Sequence, residues 1–220
     1  MMNAKAGKLL RPADVVYDHV KRRIMMNEYK PEFVLTELGL AHEIGCSQGT
    51  IREALLRLQE DGLVTRTARR GTVVTRLTAE EAQEMLVLRR LIETRGAIEA
   101  ARKVNKAQLA EIAALRERMD EAAAQRNEYA LMEADTEFHL AIFRASGLDA
   151  LEQILARCIK HSHRWKIWAP SHKRALSKTA ARHDVLIERL AARDGEGLAE
   201  ALGRHIDTIV KIPGAKRGEA

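Results

Sequence analysis

Two groups able to bind protons or metal stand one helical turn apart in EADTEFHLAIF, Glu133 to Phe143. Helical spacing puts Asp135 and His139 on the face that also carries Leu131, Phe138 and Ile142, because side chains three and four apart are neighbours. A carboxylate and an imidazole buried without partners would both be costly. Two later segments repeat the pattern. His183 falls on the stripe Ala180, Leu186, Ile187 and Leu190, and His205 on the stripe Leu198, Leu202, Ile209 and Ile212. One inward histidine is most often a core residue bonded to a backbone carbonyl. Convergent donors from three helices, Asp135 with His139, then His183, then His205, predict instead a divalent cation: zinc first, with Ni, Mn or Fe as alternatives, since imidazole and carboxylate ligate all of them. A helical bundle is a usual place to build such a site.

A second set of chemical groups lies near the N-terminus. In CSQGTIREALLRLQEDG, Ile51, Leu55 and Leu58 form a narrow apolar seam, leaving Gln48, Thr50, Arg52, Glu53 and Arg57 outward. A helix that reads base edges needs this pattern. Arg52 can bond guanine bidentately, Gln48 can read adenine, and Thr50 can meet phosphate or a thymine methyl. Weaker candidates are His161, His163 and His172 with Trp165 and Trp168 in KHSHRWKIWAPSHK. They read as a polar helix end with two packed indoles, ahead of a pocket lining or metal site. Cys158 reads as a buried apolar residue.

The elements that position these groups follow from period and caps. A first helix is predicted from Ala13 to about Met26 on the stripe Val16, Val20, Ile24. Thr36 caps a short second helix with Leu38 and Ala41 inward, and Gly45 ends it; Ser47 caps the third. Beyond Gly62, LVTRTARRGTVVTRL turns rich in Val and Thr around the loop ARRG and reads as a hairpin. Helix-turn-helix followed by a hairpin is a winged helix. Thr78 and Glu81 form a capping box, and from there to Ile212 only helical patterning appears, in six or seven segments. Breaks fall near Val104–Asn105, Arg126–Asn127, Ser146–Gly147, Ala169–Ser171 and Gly195–Gly197. The expected fold is mainly α, with a winged helix-turn-helix domain over 1–76, an all-α bundle over 77–212 and a loose tail over 213–220.

Bulk properties fit that division. Apolar residues at 46% and charged residues at 31% describe a globular chain, and aromatics at 4% with abundant Ala and Leu favour helices. The net charge of +6 suits a polyanion without demanding one. Cys46 and Cys158 are too few for a disulfide framework. With no secretory signal and no apolar run near the ~18 residues of a membrane span, a cytoplasmic protein that avoids membranes is expected.

The stretch LTELGLAHEIGCSQGTIREALLRLQEDGLVTRTARRGTVV resembles the N-terminal domain of the GntR family of bacterial transcription regulators, whose signature L-x-E-x-x-L-A-x-x-x-G-V-S-R-x-x-V-R-E-A-L ends in a Gly-bearing wing. Gln48 and Cys46 replace the usual Arg and Val. The resemblance implies a DNA-binding set of Thr36, Glu37, Ser47, Gln48, Thr50, Arg52, Arg57, Arg69, Arg70 and Gly71. The helical half resembles the FCD domain of FadR-type members on LRRLIE, DTEFH, RHDVLIERLAARD and GRHI, with Leu148 where Asn is common. In metal-binding members the matching residues, Asp135, His139, His183 and His205, coordinate a divalent ion. Arg89, of the R-x-x-x-E pair with Glu93, is similar to the arginine that grips an effector carboxylate. The resemblance implies a homodimeric regulator on a palindromic duplex operator, controlled by a small carboxylate effector and not an enzyme. The alternative is a helical metalloenzyme of hydrolase type with an accessory winged helix. Against it, Glu137 lies two residues from Asp135 and points away, leaving no obvious inward general base.

Overall fold

Pro12 at the first helical position and Asp14 in the first turn start α1 (Pro12–Met25), which buries Val16, Val20 and Ile24. The computed structural model describes residues 11–168 and 175–209. His172, Ile212, the break at Ala169–Ser171 and the tail over 213–220 lie outside them. The chain divides between Arg76 and Leu77 into two units, each with its own core.

In the first unit, β1 (Val34–Leu35) precedes α2 (Glu37–Ile44) and α3 (Gln48–Glu60), and the hairpin β2 (Val64–Thr67) and β3 (Gly71–Val74) follows. The sheet is antiparallel in the order β1-β3-β2, with Val34 and Thr65 flanking Val73. Strand β1 was not expected; two residues carry no readable period. The turn between α2 and α3 needs Gly45, whose φ of 75° is left-handed. Leu38 departs from expectation. It is 69% exposed, Ala41 is only half-buried, and Leu40 fills the core instead. A helix of two turns gives few chances to fix its phase, and a slip of two residues turns a side chain through about 200°.

The second unit begins at the predicted capping box: Thr78 Oγ1 accepts from Glu81 N and Glu81 Oε2 from Thr78 N. Helices α4 (Ala79–Lys103), α5 (Lys106–Ala124), α6 (Glu128–Arg144), α7 (Glu152–Trp168), α8 (Leu176–Ala181), α9 (Asp184–Ala191) and α10 (Gly195–Asp207) follow, with a 3-10 turn at Asp149–Leu151. Long α4 packs on α10, α7 and α6, while α5 lies along α6. Phe138, Ile142, Leu186, Leu198 and Leu202 meet in the main core. One boundary differs from the pattern. The segment around His183 is two helices, and His183 stands at their junction as the residue before α9. The break expected near Gly195–Gly197 falls between α9 and α10, just before Gly195: Asp194 caps α10 by accepting from Gly197 N at 2.9 Å, and a side chain at Gly197 would collide with that carboxylate.

Candidate functional site

The four donors from separate segments converge. One ligating atom each from Asp135, His139, His183 and His205 lies within 4.8 Å of every other, and all four residues are buried. Helix α6 supplies Asp135 and His139, the α8–α9 junction His183, and α10 His205. His183 packs edge to face against His205 at 4.5 Å and against Phe138 at 5.0 Å between ring centres, and His139 lies tilted against His205 at 5.0 Å.

The surrounding bonds decide which lone pairs face inward. His139 Nδ1 lies 2.6 Å from Glu93 Oε2. An ionised carboxylate only accepts, so Nδ1 carries the proton and Nε2 is left bare. Burial opposes ionisation of Glu93, but His139 and Arg89 outweigh it and bring its pKa to about 2. Burial in turn pushes the His139 pKa below its ordinary value, favouring the neutral ring. His183 Nδ1 is 3.1 Å from the carbonyls of Thr179 and Ala180, which also only accept, so its Nε2 faces Asp135 Oδ1 at 3.0 Å. Burial opposes ionisation of Asp135, but His163 and His183 hold its carboxyl well below the usual range. Two lone pairs at that separation require a cation between them, either a proton or a metal ion. Among the described residues, His139 Nε2 and His205 Nδ1 are buried without a hydrogen-bond partner, and the 3.0 Å approaches of His183 Nε2 and His163 Nε2 to Asp135 lack hydrogen-bond geometry. One carboxylate and three imidazoles, with orphaned donor atoms, fit a divalent ion.

Arg89 is fully buried on α4. Its Nε donates to Glu93 Oε1 at 2.6 Å, while Nη1 and Nη2 have no partner among the described residues. Glu93 thus joins Arg89 to His139. A cleft lined by Met132, Asp135, His163, Lys166, Leu176 and Thr179 opens beside the donors.

Two site residues were missed in the sequence. In the sequence Glu93 reads only as the partner of Arg89; the tendency of a ligating histidine to pass its second N–H to a carboxylate is the signal that ties it to His139. His163 reads as part of a polar helix end. It is buried, with Nε2 3.0 Å from Asp135 Oδ2, and His161 and Arg164 are buried with it. The stripe Leu155, Ile159, His163 at four-residue spacing carried that information. Glu137 does point outward, to Arg144. Buried Cys158 matches its reading.

In the first unit, several members of the candidate set are already engaged by neighbouring groups. Thr36 Oγ1 caps α2 by accepting from Gly39 N at 3.1 Å, and Ser47 Oγ caps α3 by accepting from Thr50 N at 3.2 Å. Gln48 is exposed. Arg52 pairs with Glu37, and Arg70 bonds the carbonyl of Glu32 at 3.4 Å. Arg69 is exposed at the hairpin tip, next to which Gly71 adopts a φ of 74°. Arg57 turns inward toward α1, bonding Asp14 at 2.7 Å and lying 4.3 Å over the Tyr17 ring.

Residues 84–208 match the family model of the FCD domain, and residues 12–74 that of the bacterial regulatory proteins of the gntR family. The Nta operon transcriptional regulator of Aminobacter aminovorans is 26% identical over 188 residues, which cover 84% of this chain and 88% of that protein. The uncharacterized HTH-type transcriptional regulator YdhC of Bacillus subtilis is 36% identical over 73 residues, and the chain spans only 33% of its length, from 33% of its own. The solved structure of E. coli McbR/YncC has the same fold, with a TM-score of 0.74 at 21% identity over 90% of this chain and 95% of that one.

Proposed function

The chain belongs to the gntR family of bacterial regulatory proteins, in the branch that carries an FCD domain, and from that premise we propose a DNA-binding transcription regulator whose operator affinity is set by a small organic acid at a divalent metal site. Asp135, His139, His183 and His205 hold the metal, zinc being the first candidate and Ni, Mn or Fe the others. The ion supplies positive charge for an anionic ligand, and Arg89 supplies two further donors to the same anion, a charge-assisted arrangement. The wing (Arg69, Arg70, Gly71) and the α2–α3 surface meet duplex DNA. A homodimer sets two copies of α3 about 34 Å apart on palindromic half-sites. Thr36 and Ser47 serve mainly as caps that fix α2 and α3 there, and Arg57 serves mainly to tie α3 to α1.

The observation that carries the effector reading is Arg89. A buried guanidinium with two unpartnered nitrogens costs several kcal/mol, and an anion entering beside it would remove that cost. The relatives named above are regulators, not enzymes, so the hydrolase alternative is set aside. Among the described residues no helix is long and apolar enough to cross a membrane; a cytoplasmic location is part of the proposal.

The test loads purified protein with Zn²⁺, titrates small mono- and dicarboxylates, and follows operator binding by fluorescence anisotropy with and without chelator. At least one acid should shift operator affinity by a coupling on the order of 1–3 kcal/mol, and only in the metal-loaded protein. Acid binding without that dependence, or none from any acid, contradicts the reading. A metal that binds while no acid does would leave it a purely structural tie between helices.

A further inference from the structure

Arg52 projects from the exposed side of α3, and its approach to any ligand is constrained. Its Nε donates to Glu37 Oε1 at 3.1 Å and its Nη2 to Glu37 Oε2 at 2.7 Å. Both bonds use the side edge of the guanidinium. Of the five N–H donors that an arginine carries, those on the end edge between Nη1 and Nη2 stay available. That end edge is a ready-made fork for guanine O6 and N7. Glu37 is itself held in place: it is the first residue of α2, directly behind the Thr36 cap. Arg57, by contrast, is occupied by Asp14 and Tyr17 and presents no comparable fork.

We infer that Glu37 is a positioning residue for base readout: it clamps Arg52 side-on, so that the end edge of the guanidinium is aimed at a guanine in the major groove. The inference rests on the DNA-binding reading above. A clamped arginine has less rotamer freedom to lose on docking, so discrimination between bases improves. An exposed ion pair contributes little to folding, which leaves recognition as the effect to measure. A carboxylate on a DNA-facing surface also repels phosphate. Charge alone therefore predicts that neutralising Glu37 tightens binding, whereas the clamp predicts loss of sequence discrimination.

The experiment uses the full chain. Duplexes bound by the wild type are selected from a random pool, and each guanine in the recovered half-site is replaced in turn by adenine or 7-deazaguanine, which lacks the N7 acceptor. Wild type, Glu37→Gln, Glu37→Asp, Arg52→Ala and the double variant Glu37→Gln/Arg52→Ala are compared by anisotropy at one fixed salt concentration. In the wild type one guanine should matter by about 5- to 150-fold, the span of one good bidentate contact. Glu37→Gln and the shorter Glu37→Asp should each bring that ratio toward one at the same guanine. Arg52→Ala should abolish it, and the double variant should lose nothing more. The inference is overturned if Glu37→Gln keeps the full ratio. It is equally overturned if the ratio changes at a position to which Arg52→Ala is indifferent, which would mean Glu37 reads a base itself. If the wild type recovers no sequence from the pool, it is the DNA-binding proposal that fails.

Discussion

The Nδ1 of His139 lies 2.6 Å from Oε2 of Glu93, and the other oxygen of that carboxylate takes the Arg89 Nε, also at 2.6 Å. One buried acid thus sets the tautomer of a metal-ligand candidate on α6 and holds the guanidinium on α4 that we propose as the anion receptor. Replacing Glu93 by Gln leaves one accepting oxygen for two donors, His139 Nδ1 and Arg89 Nε, and removes the partner charge of Arg89. Divalent metal affinity is expected to fall about 10- to 100-fold, the usual effect of losing such an outer partner. Competition against a chromophoric chelator measures it. Unchanged affinity would mean that Glu93 serves Arg89 alone.

Acid should loosen the metal-free second unit well above the range of ordinary carboxylates. Burial pushes the pKa values of His139, His163 and His205 below the ordinary histidine value. Below about pH 6.5 the unfolded chain therefore binds protons that the folded chain refuses. Stability rises with pH wherever the unfolded state holds more protons, so it must fall as pH drops through that value. Each proton of difference contributes about 1.4 kcal/mol per pH unit. Glu93 adds a second loss as pH falls from its ordinary 4.5 toward its folded value of about 2. Urea midpoints measured in chelator at pH 7.5 and 5.5 test the first window. The midpoint should be clearly lower at pH 5.5, and a flat profile would contradict neutral buried rings. Metal should be released in the same window, since imidazole must be deprotonated to ligate.

Arg89→Lys is expected to separate folding from the proposed sensing role. Arg89→Lys keeps a positive charge for Glu93 but loses the planar fork that a carboxylate ligand needs. Affinity for the active acid should fall by about 1.5–3 kcal/mol, the range of a hydrogen bond to a charged group. Operator affinity in the absence of acid should not change. Calorimetry on the acid and anisotropy on the operator make the comparison. An acid affinity equal to that of the wild type would place the effector elsewhere.

What the sequence disclosed depended on whether a residue sits in a long period or a short one. Thr78 with Glu81 marked the start of a 25-residue helix, and Ser47 that of α3, because capping chemistry is local. Asp135 and His139 showed themselves as polar intruders on the apolar stripe of a 17-residue helix. Leu38 went wrong in an eight-residue helix, where two apolar candidates, Leu38 and Leu40, have nothing nearby to arbitrate between them. β1 was invisible at two residues. His163 was lost for a different reason. Its neighbours His161, Arg164 and Lys166 made the segment look like a solvated end, and only packing against α4 and α6 buries it. The clamp of Glu37 on Arg52 spans fifteen positions between two helices, a pairing that no local pattern encodes.

Gly96 offers a test of the close approach on which the site depends. It lies on α4 three residues beyond Glu93, and a Cβ added there would stand 2.7 Å from the Phe143 ring of α6. That ring is itself packed against Leu140, Leu155 and Ile159, so it has little room to retreat. Gly96→Ala should therefore destabilise the second unit by about 1–3 kcal/mol, the cost of overpacking a filled core. By prying α4 from α6 it should also stretch the bond from Glu93 to His139 and weaken metal binding. Gly49→Ala is the matched control. Its Cβ would meet nothing nearer than Ser47 Oγ at 3.8 Å, and relief of glycine's backbone entropy should stabilise the first unit by roughly 0.5–1 kcal/mol. Denaturant melts of both variants, with metal titrations of the first, decide the matter. If Gly96→Ala melts like the wild type and binds metal equally well, α4 and α6 are not held at the separation that the Glu93–His139 contact requires.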